Sequence, residues 1–481
     1  MDMAVTPIPP RPVPPERDLP FWKFLATARD NSLLVLPAAA YEQKLYKAKL
    51  LWFDIFIVSD PAGIGHVMLD NFANYRKAEE DIRVLRPAIG EGLFTSEGET
   101  WRAHRRIMAP SFDMRSLAGY APVMGAVATE QAESWAALPA GAVTDVGIDM
   151  MRTTLQVISR TMFSTDSDSI VEIVREAFDH YVEDFPVGLL DLVPFLRPWR
   201  DRRLQRYGAG IFAKFDAAYE RLAAERSGAA GGNDLLSRLI AARDEESGSR
   251  MSARDVRDQV VTIFLAGHET TALALTWCWF LLSQHPEVEA RLHDEIDRVL
   301  NGRLPTQQDV QHLAYTRQVI EETMRLYPPV SSFPARQALS DDEVCGQPIR
   351  KGSFIGIHPW VVHRHRLLWE DPDRFDPDRF TPDRVAARPR FAYLPFGAGP
   401  RICIGAGFAT IEAVMILATL AQRFRLRLAP GHVVEPQAIL TLRPRYGMKM
   451  IVEERRAGSA RRRGELEAEP DHHPAERAVE P

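Results

Sequence analysis

Residues 396–405 read Phe396-Gly397-Ala398-Gly399-Pro400-Arg401-Ile402-Cys403-Ile404-Gly405. Glycines at 397, 399, 405 and 407, with Pro400, crowd one cysteine into a rigid, open loop. Such a loop leaves the sulfur uncovered and points backbone N–H groups at it, donors that favour a thiolate over a thiol. Lone cysteines are more often buried structural residues, but the flanking pattern argues against that here. A phosphate-binding dinucleotide loop is excluded by the missing βαβ unit with full glycine spacing and a later acidic residue.

Around this loop lies an ordinary globular composition: 481 residues, 46% hydrophobic, 26% charged, with a net charge of −6. The charge disfavours nucleic acid as the main partner. Three cysteines, Cys278, Cys345 and Cys403, make no disulfide framework, which fits a reducing cytoplasm. The first residues carry prolines where a signal peptide would carry an apolar run. The best candidate for a membrane span, Val260 to Leu282, contains His268 and Glu269 near its middle. A buried helix is the better reading, and no membrane span is expected.

Residues 1–18 read as a proline-rich extended arm, 19–454 as the folded part, and 455–481 as a charged, disordered tail. Leu51 to Val58 reads as strand, and Asp60-Pro61 opens a helix through Leu69. From about 98 to 330 the signals are helical, as in the stripe Val288, Leu292, Ile296 and Val299. Short strands and loops follow to about 400. Then come a helix from Phe408 to about Arg423 and strands at Leu440–Leu442 and Met448–Val452.

Three further constellations carry chemistry. In Ala266-Gly267-His268-Glu269-Thr270-Thr271, small side chains at 266 and 267 would let a flat group and a diatomic ligand approach a helix backbone. Gly267 in mid-helix costs about 1 kcal/mol relative to alanine, so it needs a reason; close helix packing is the blander one. Thr270 can bond a backbone carbonyl or a ligand, and Glu269 can relay protons. Glu322 and Arg325, three apart with apolar residues on both faces of their helix, read as a buried ion pair that must be fully hydrogen-bonded. Trp101 and Arg105, four apart, place an indole N–H and a guanidinium on one helix face.

The cysteine loop resembles the haem-ligand loop of the cytochrome P450 family, Phe-Gly-x-Gly-x-Arg-x-Cys-x-Gly, at every fixed position. The other motifs follow in that family's order, and the resemblance runs from about Leu51 to Val452. It implies a mainly α fold with a smaller β-rich part, a single haem domain, and haem b as cofactor. Cys403 would be the axial ligand, a thiolate that pushes electron density onto the iron. Phe396, Gly397 and Gly405 would shape its loop, and Ala266 and Gly267 would line the other haem face. Arg401, Trp101, Arg105 and Arg336 would hold the propionates. Glu269 and Thr270 would form the proton-delivery pair, and Arg379 would join Glu322 and Arg325 in a structural triad. Val362-His363-Arg364-His365-Arg366-Leu367 departs from the family, whose members often carry Asp or Asn then Pro after His-Arg; its His-x-His reads as a surface loop.

The implied reaction is monooxygenation of a hydrophobic small molecule by O2. Ile82, Leu85, Ile89, Ile263, Val330, Phe333 and Leu442 are candidates for an apolar pocket. No flavin or iron–sulfur module fits in the rest of the chain, so electrons would come from a separate ferredoxin or flavodoxin with its reductase. Arg384, Arg388, Arg390 and Arg401 would form a basic docking face whose steering weakens with salt; charge reversal at 388 and 390 that left reduction unchanged would refute it. The rival readings are a peroxide-driven peroxygenase, which usually lacks the acid–alcohol pair, and a non-catalytic haem-thiolate sensor, which has little need of it.

Overall fold

A computed structural model describes residues 8–50, 53–163 and 248–455, and parts of 201–247. The charged tail beyond 455 lies outside the described residues, as does the start of the arm. The described part of the arm is extended and tied down: Tyr327 donates to the Pro10 carbonyl at 2.8 Å and Arg11 pairs with Asp373 at 3.1 Å.

Helices dominate. The first half carries α1 (Phe21–Asp30), α2 (Pro61–Gly65), α3 (Glu79–Ile89), α4 (Gly98–Met108), α5 (Met114–Ala136) and α6 (Val146–Phe163). After α7 (Leu235–Ala241) come α8 (Ala253–Gln284), α9 (Pro286–Leu300) and α10 (Ala314–Leu326). The short α11 (Pro359–Val362) and α12 (Pro382–Ala387) precede α13 (Ala406–Arg423). Local chemistry sets these starts. Asp60 caps α2, with Pro61 in its first turn. Ser252 and Asp255 close a reciprocal capping box at the head of α8. Asn301 in the left-handed region ends α9.

Strands β1 (Leu45–Leu50), β2 (Phe53–Val58), β3 (Tyr75–Lys77), β5 (Arg336–Ala338) and β8 (Phe354–Gly356) build a five-stranded sheet in the order β1-β2-β8-β5-β3. Only β2 and β8 run parallel in it. β4 (Val143–Asp145), β9 (Phe424–Leu428) and β12 (Lys449–Glu454) form a second sheet. β6 (Asp342–Val344) pairs with β7 (Gln347–Ile349), and β10 (Pro436–Ala438) with β11 (Leu442–Pro444). The strand expected at 440–442 starts only at Leu442, because residues 439–441 make the β10–β11 turn.

The main core gathers α5, α6, α8, α9, α10 and α13 around Trp277, Trp279 and Leu417, while a smaller core lies under the five-stranded sheet. α8 is long and apolar enough to cross a bilayer, yet 78% of its most apolar window is buried inside the protein. Its hydrophobicity is that of a central core helix. Gly267 finds its reason here: a Cβ would come within 2.8 Å of Ile158 Cδ1 on α6. Close packing of α6 on α8 thus favours a glycine there.

Candidate active site

The loop before α13 is shaped by its glycines. Gly397 and Gly399 have φ of +79° and +65°, a region side chains avoid. At Gly399 a Cβ would lie 1.8 Å from the Met68 carbonyl oxygen, so no other residue fits. The Cys403 amide donates to the Phe396 carbonyl at 2.8 Å and closes the loop. Cys403 is exposed rather than covered by side chains. The surrounding chain is nonetheless close enough that burial raises its pKa, with the Gly405 amide and the Arg105 charge only partly offsetting it. Backbone donors alone therefore do not make the thiolate expected from the loop; a bound cation would, since a coordinating thiol is deprotonated outright.

Beside the loop lies a cluster of cations. Arg401 lies over the Trp101 ring, 4.4 Å from its centroid, and pairs with Glu97. Lys77 is buried, donates to the Phe94 and Ser96 carbonyls and approaches Glu97 at 3.8 Å. Burial first, and the Arg401 charge second, push its pKa down to about 7. Burial likewise pulls Arg336 down to about 10. One nitrogen of each guanidinium, Nη1 of Arg336 and of Arg401, is buried without a hydrogen-bond partner. Orphaned buried donors are costly, and the two guanidiniums and Lys77 share only the carboxylates of Glu97 and Asp81. The site fits an anionic group of two carboxylates such as the haem propionates. Lys77 and Glu97 had no sequence signal, because they meet the arginines only through β3, β5 and the loop. Arg105 goes elsewhere: its Nη1 donates to the Ile402 carbonyl at 2.8 Å, bracing the cysteine loop instead of joining the cluster.

On α8, Ala266 is exposed although the helix around it is buried. Thr270 donates to the Ala266 carbonyl at 2.8 Å, and Thr154 of α6 donates to the His268 carbonyl at 2.9 Å. Hydroxyls drawing on successive helix carbonyls loosen the ladder locally. The Glu269 carboxylate accepts from the Thr441 hydroxyl at 2.7 Å. His268 is fully buried, donates to the Phe264 carbonyl and is pushed down to about 4 by burial, so it is a neutral packing residue. Among the pocket candidates, Val330 and Phe333 are half-buried. Ile263, Leu85 and Ile89 are nearly covered. Ile82 and Leu442 are 1% and 0% exposed, so their side chains belong to the core and present nothing to a ligand.

A buried acid on α13 escaped the sequence reading. Both Glu412 carboxyl oxygens are buried without a hydrogen-bond partner. Burial raises its pKa well above the carboxylate range, tempered by the nearby Thr271 hydroxyl. That hydroxyl also faces the Gly267 carbonyl, 3.4 Å away. Burial thus favours the protonated, neutral form of Glu412. A folded-state pKa above the unfolded value means stability falls as pH rises from about 4.3 toward the folded pKa. Glu412→Gln, neutral at every pH, should therefore raise the unfolding midpoint at pH 8 relative to wild type and change it little at pH 4.5. Parallel thermal melts across that range are the check; equal shifts at both ends would contradict a buried neutral acid.

Glu322 and Arg325 pair as their spacing implied, and Arg379, named from the family resemblance, lies beside them. Arg325 Nε and Nη2 bind the two Glu322 oxygens at 2.6 and 2.7 Å. Nη1 donates to the His363 and Pro372 carbonyls, and Nη2 also to Arg374. Arg379 approaches Glu322 at 3.5 Å. The His-x-His segment is not a surface loop: His363 and His365 are 0% and 2% exposed. His363 Nε2 accepts from the Leu394 amide at 2.8 Å, and burial together with Arg325 and Arg364 keeps the imidazole neutral. The ion pair is thereby joined through His363 to the chain just before Phe396. Arg388 is also not a docking residue. It packs over Trp369 and Phe380, 4.4 and 4.5 Å from their centroids, and donates to the Arg379 carbonyl. Arg384 and Arg390 stay exposed.

Residues 12–452 match the sequence profile described as Cytochrome P450. Cyclooctatin synthase of Streptomyces melanosporofaciens is 39% identical over 77% of this chain and 80% of its own length. Pentalenene oxygenase of Streptomyces avermitilis is 36% identical over 74% of this chain and 78% of its own. Cyclooctat-9-en-7-ol 5-monooxygenase of Streptomyces melanosporofaciens is 37% identical over 72% and 75%. Among solved structures, the cytochrome P450DA heme domain superimposes with a TM-score of 0.76 and 30% identity, covering 86% of this chain and 90% of that one.

Proposed function

The chain belongs to the cytochrome P450 family and is a haem b monooxygenase, and from that premise we propose that it oxygenates a cyclic, alkene-containing hydrocarbon or its alcohol, with electrons from a separate acidic carrier. The observation that carries the site assignment is the conjunction of an exposed Cys403 thiol with the orphaned buried donors of Arg336 and Arg401. The substrate class rests on the relatives named for pentalenene and cyclooctat-9-en-7-ol and on the apolar Ile263, Val330 and Phe333. The carrier rests on the exposed Arg384 and Arg390; Arg388 no longer contributes.

Haem bound here supplies the activation of O2, from which one atom enters substrate and the other leaves as water. Cys403 would ligate the iron, with Arg105 bracing its loop and its charge favouring the thiolate. Arg336, Arg401 and Lys77 would anchor the propionates. Glu269 and Thr270 hold and pass protons on the α8 side. Apolar side chains exclude water and orient the substrate.

Thr270→Ala tests this reading. With a ring compound selected by its spin-state shift, reductant consumption should continue while product per reductant falls about tenfold or more, in line with the 10²–10⁴-fold scale of positioned proton transfer. An unchanged product-to-reductant ratio would refute the role of Thr270 in proton delivery, product formed from peroxide without reductant would favour the peroxygenase, and no product under either condition would favour the sensor.

A further inference from the structure

We propose that Thr441 is a positioning residue for Glu269, fixing the acid's carboxylate from a hairpin turn on the other side of the chain's length. The inference rests on the reading of Glu269 as a proton carrier and adds to it the group that orients it.

The Thr441 hydroxyl donates to Glu269 Oε1 at 2.7 Å, the length of a charge-assisted O–H···O bond. Thr441 is buried, so water does not readily replace it. It sits in the turn between β10 and β11, and that turn is anchored on several sides. The Leu442 amide donates to the Pro329 carbonyl at 2.8 Å. Trp277, on the same helix as Glu269, donates from its indole to the Leu442 carbonyl at 3.0 Å. The Asn31 side chain bonds the Pro436 carbonyl and the Ala438 amide on β10. The hairpin is therefore locked to α8 itself, and a β-branched residue with restricted χ1 carries the donor. A glutamate side chain has many rotamers to lose on being ordered. Thr441 contributes to that order before any reaction starts. Leu442, a pocket candidate, turns out to act through its backbone, as the clamp that sets this turn.

The test compares the haem-loaded wild type with Thr441→Val, Thr441→Ser and Glu269→Gln. Valine keeps the shape and removes the donor; serine keeps the donor. Oxygen consumption is followed without substrate, with a surrogate ferredoxin and reductase, in H2O and in D2O. A crystal structure of each variant reads the Glu269 side chain. Thr441→Val should slow turnover about tenfold, alter the solvent isotope effect in the same sense as Glu269→Gln, and leave the KM for ferredoxin and the carbon monoxide spectrum unchanged. Thr441→Ser should restore wild-type values, and Glu269 should spread over several conformers only in the valine variant. If Glu269→Gln shifts the isotope effect while Thr441→Val behaves as wild type, the positioning role is wrong. If Glu269→Gln shifts nothing, the proton-carrier reading fails first and the inference with it.

Discussion

Replacing Cys403 by serine should abolish the red-shifted haem band of the reduced, carbon monoxide-bound protein and lower turnover at least about a hundredfold, some 2.7 kcal/mol of barrier. Serine offers a neutral, hard oxygen in place of a thiolate, so the electron push onto the iron is lost. Haem should still be retained in part, if Arg336, Arg401 and Lys77 bind its propionates as proposed. Two controls sharpen the outcome. Cys345 is exposed and remote in sequence from the loop, and Cys278 is buried in the middle of α8. Serine at 345 should change nothing in the spectrum. A band indifferent to Cys403, or one lost equally with Cys345→Ser, would remove the basis of the site assignment.

The second large effect is on folding. Arg325→Ala should leave little soluble, haem-loaded protein. The five N–H groups of Arg325 are all used, on both Glu322 oxygens and on the carbonyls of His363, Pro372 and Arg374. Truncation leaves Glu322, which is 0% exposed, with only the Asp376 amide and the more distant Arg379, and strands three carbonyls. Breaking a buried pair costs about 3–5 kcal/mol, against a total stability of about 5–15 kcal/mol for an ordinary domain. Replacing both partners by apolar residues should not restore the protein, since the three carbonyls would remain without donors. Urea unfolding and haem content measure the effect; a wild-type midpoint for Arg325→Ala would show that the network contributes nothing to stability. Because His363 passes the network on to Leu394, haem affinity should fall along with stability.

The local parts of the site were legible from residue order alone. Gly397, Gly399 and Cys403 must be near neighbours to make one loop, so their spacing is the structure. Glu322 and Arg325 meet because residues three apart share a helix face, and Ala266 and Thr270 do so for the same reason. Apolar residues on all sides of α8 and α10 already announced buried helices. Where one local pattern allowed two readings, packing chose. Ile158 on α6 showed that Gly267 serves helix contact. Trp369 and Phe380 decided that Arg388 points inward. The neighbours of His363 turned a polar His-x-His segment into core.

Pattern could not reach what depends on chains meeting from far apart. Lys77, Glu97, Arg336 and Arg401 come from four separate segments, and only the sheet and the cysteine loop bring them into one cluster. Thr441 meets Glu269 across a separation of 172 residues, set by where the β10–β11 turn lands. The pKa of Cys403 and the protonation of Glu412 are decided by burial, a property of the packed molecule that no window of sequence contains. Residue order thus determined the helices, the haem loop and the ion pair, whose partners are joined by short covalent paths. Tertiary packing alone decided which charges are buried together, and so which of them hold, orient or carry a proton.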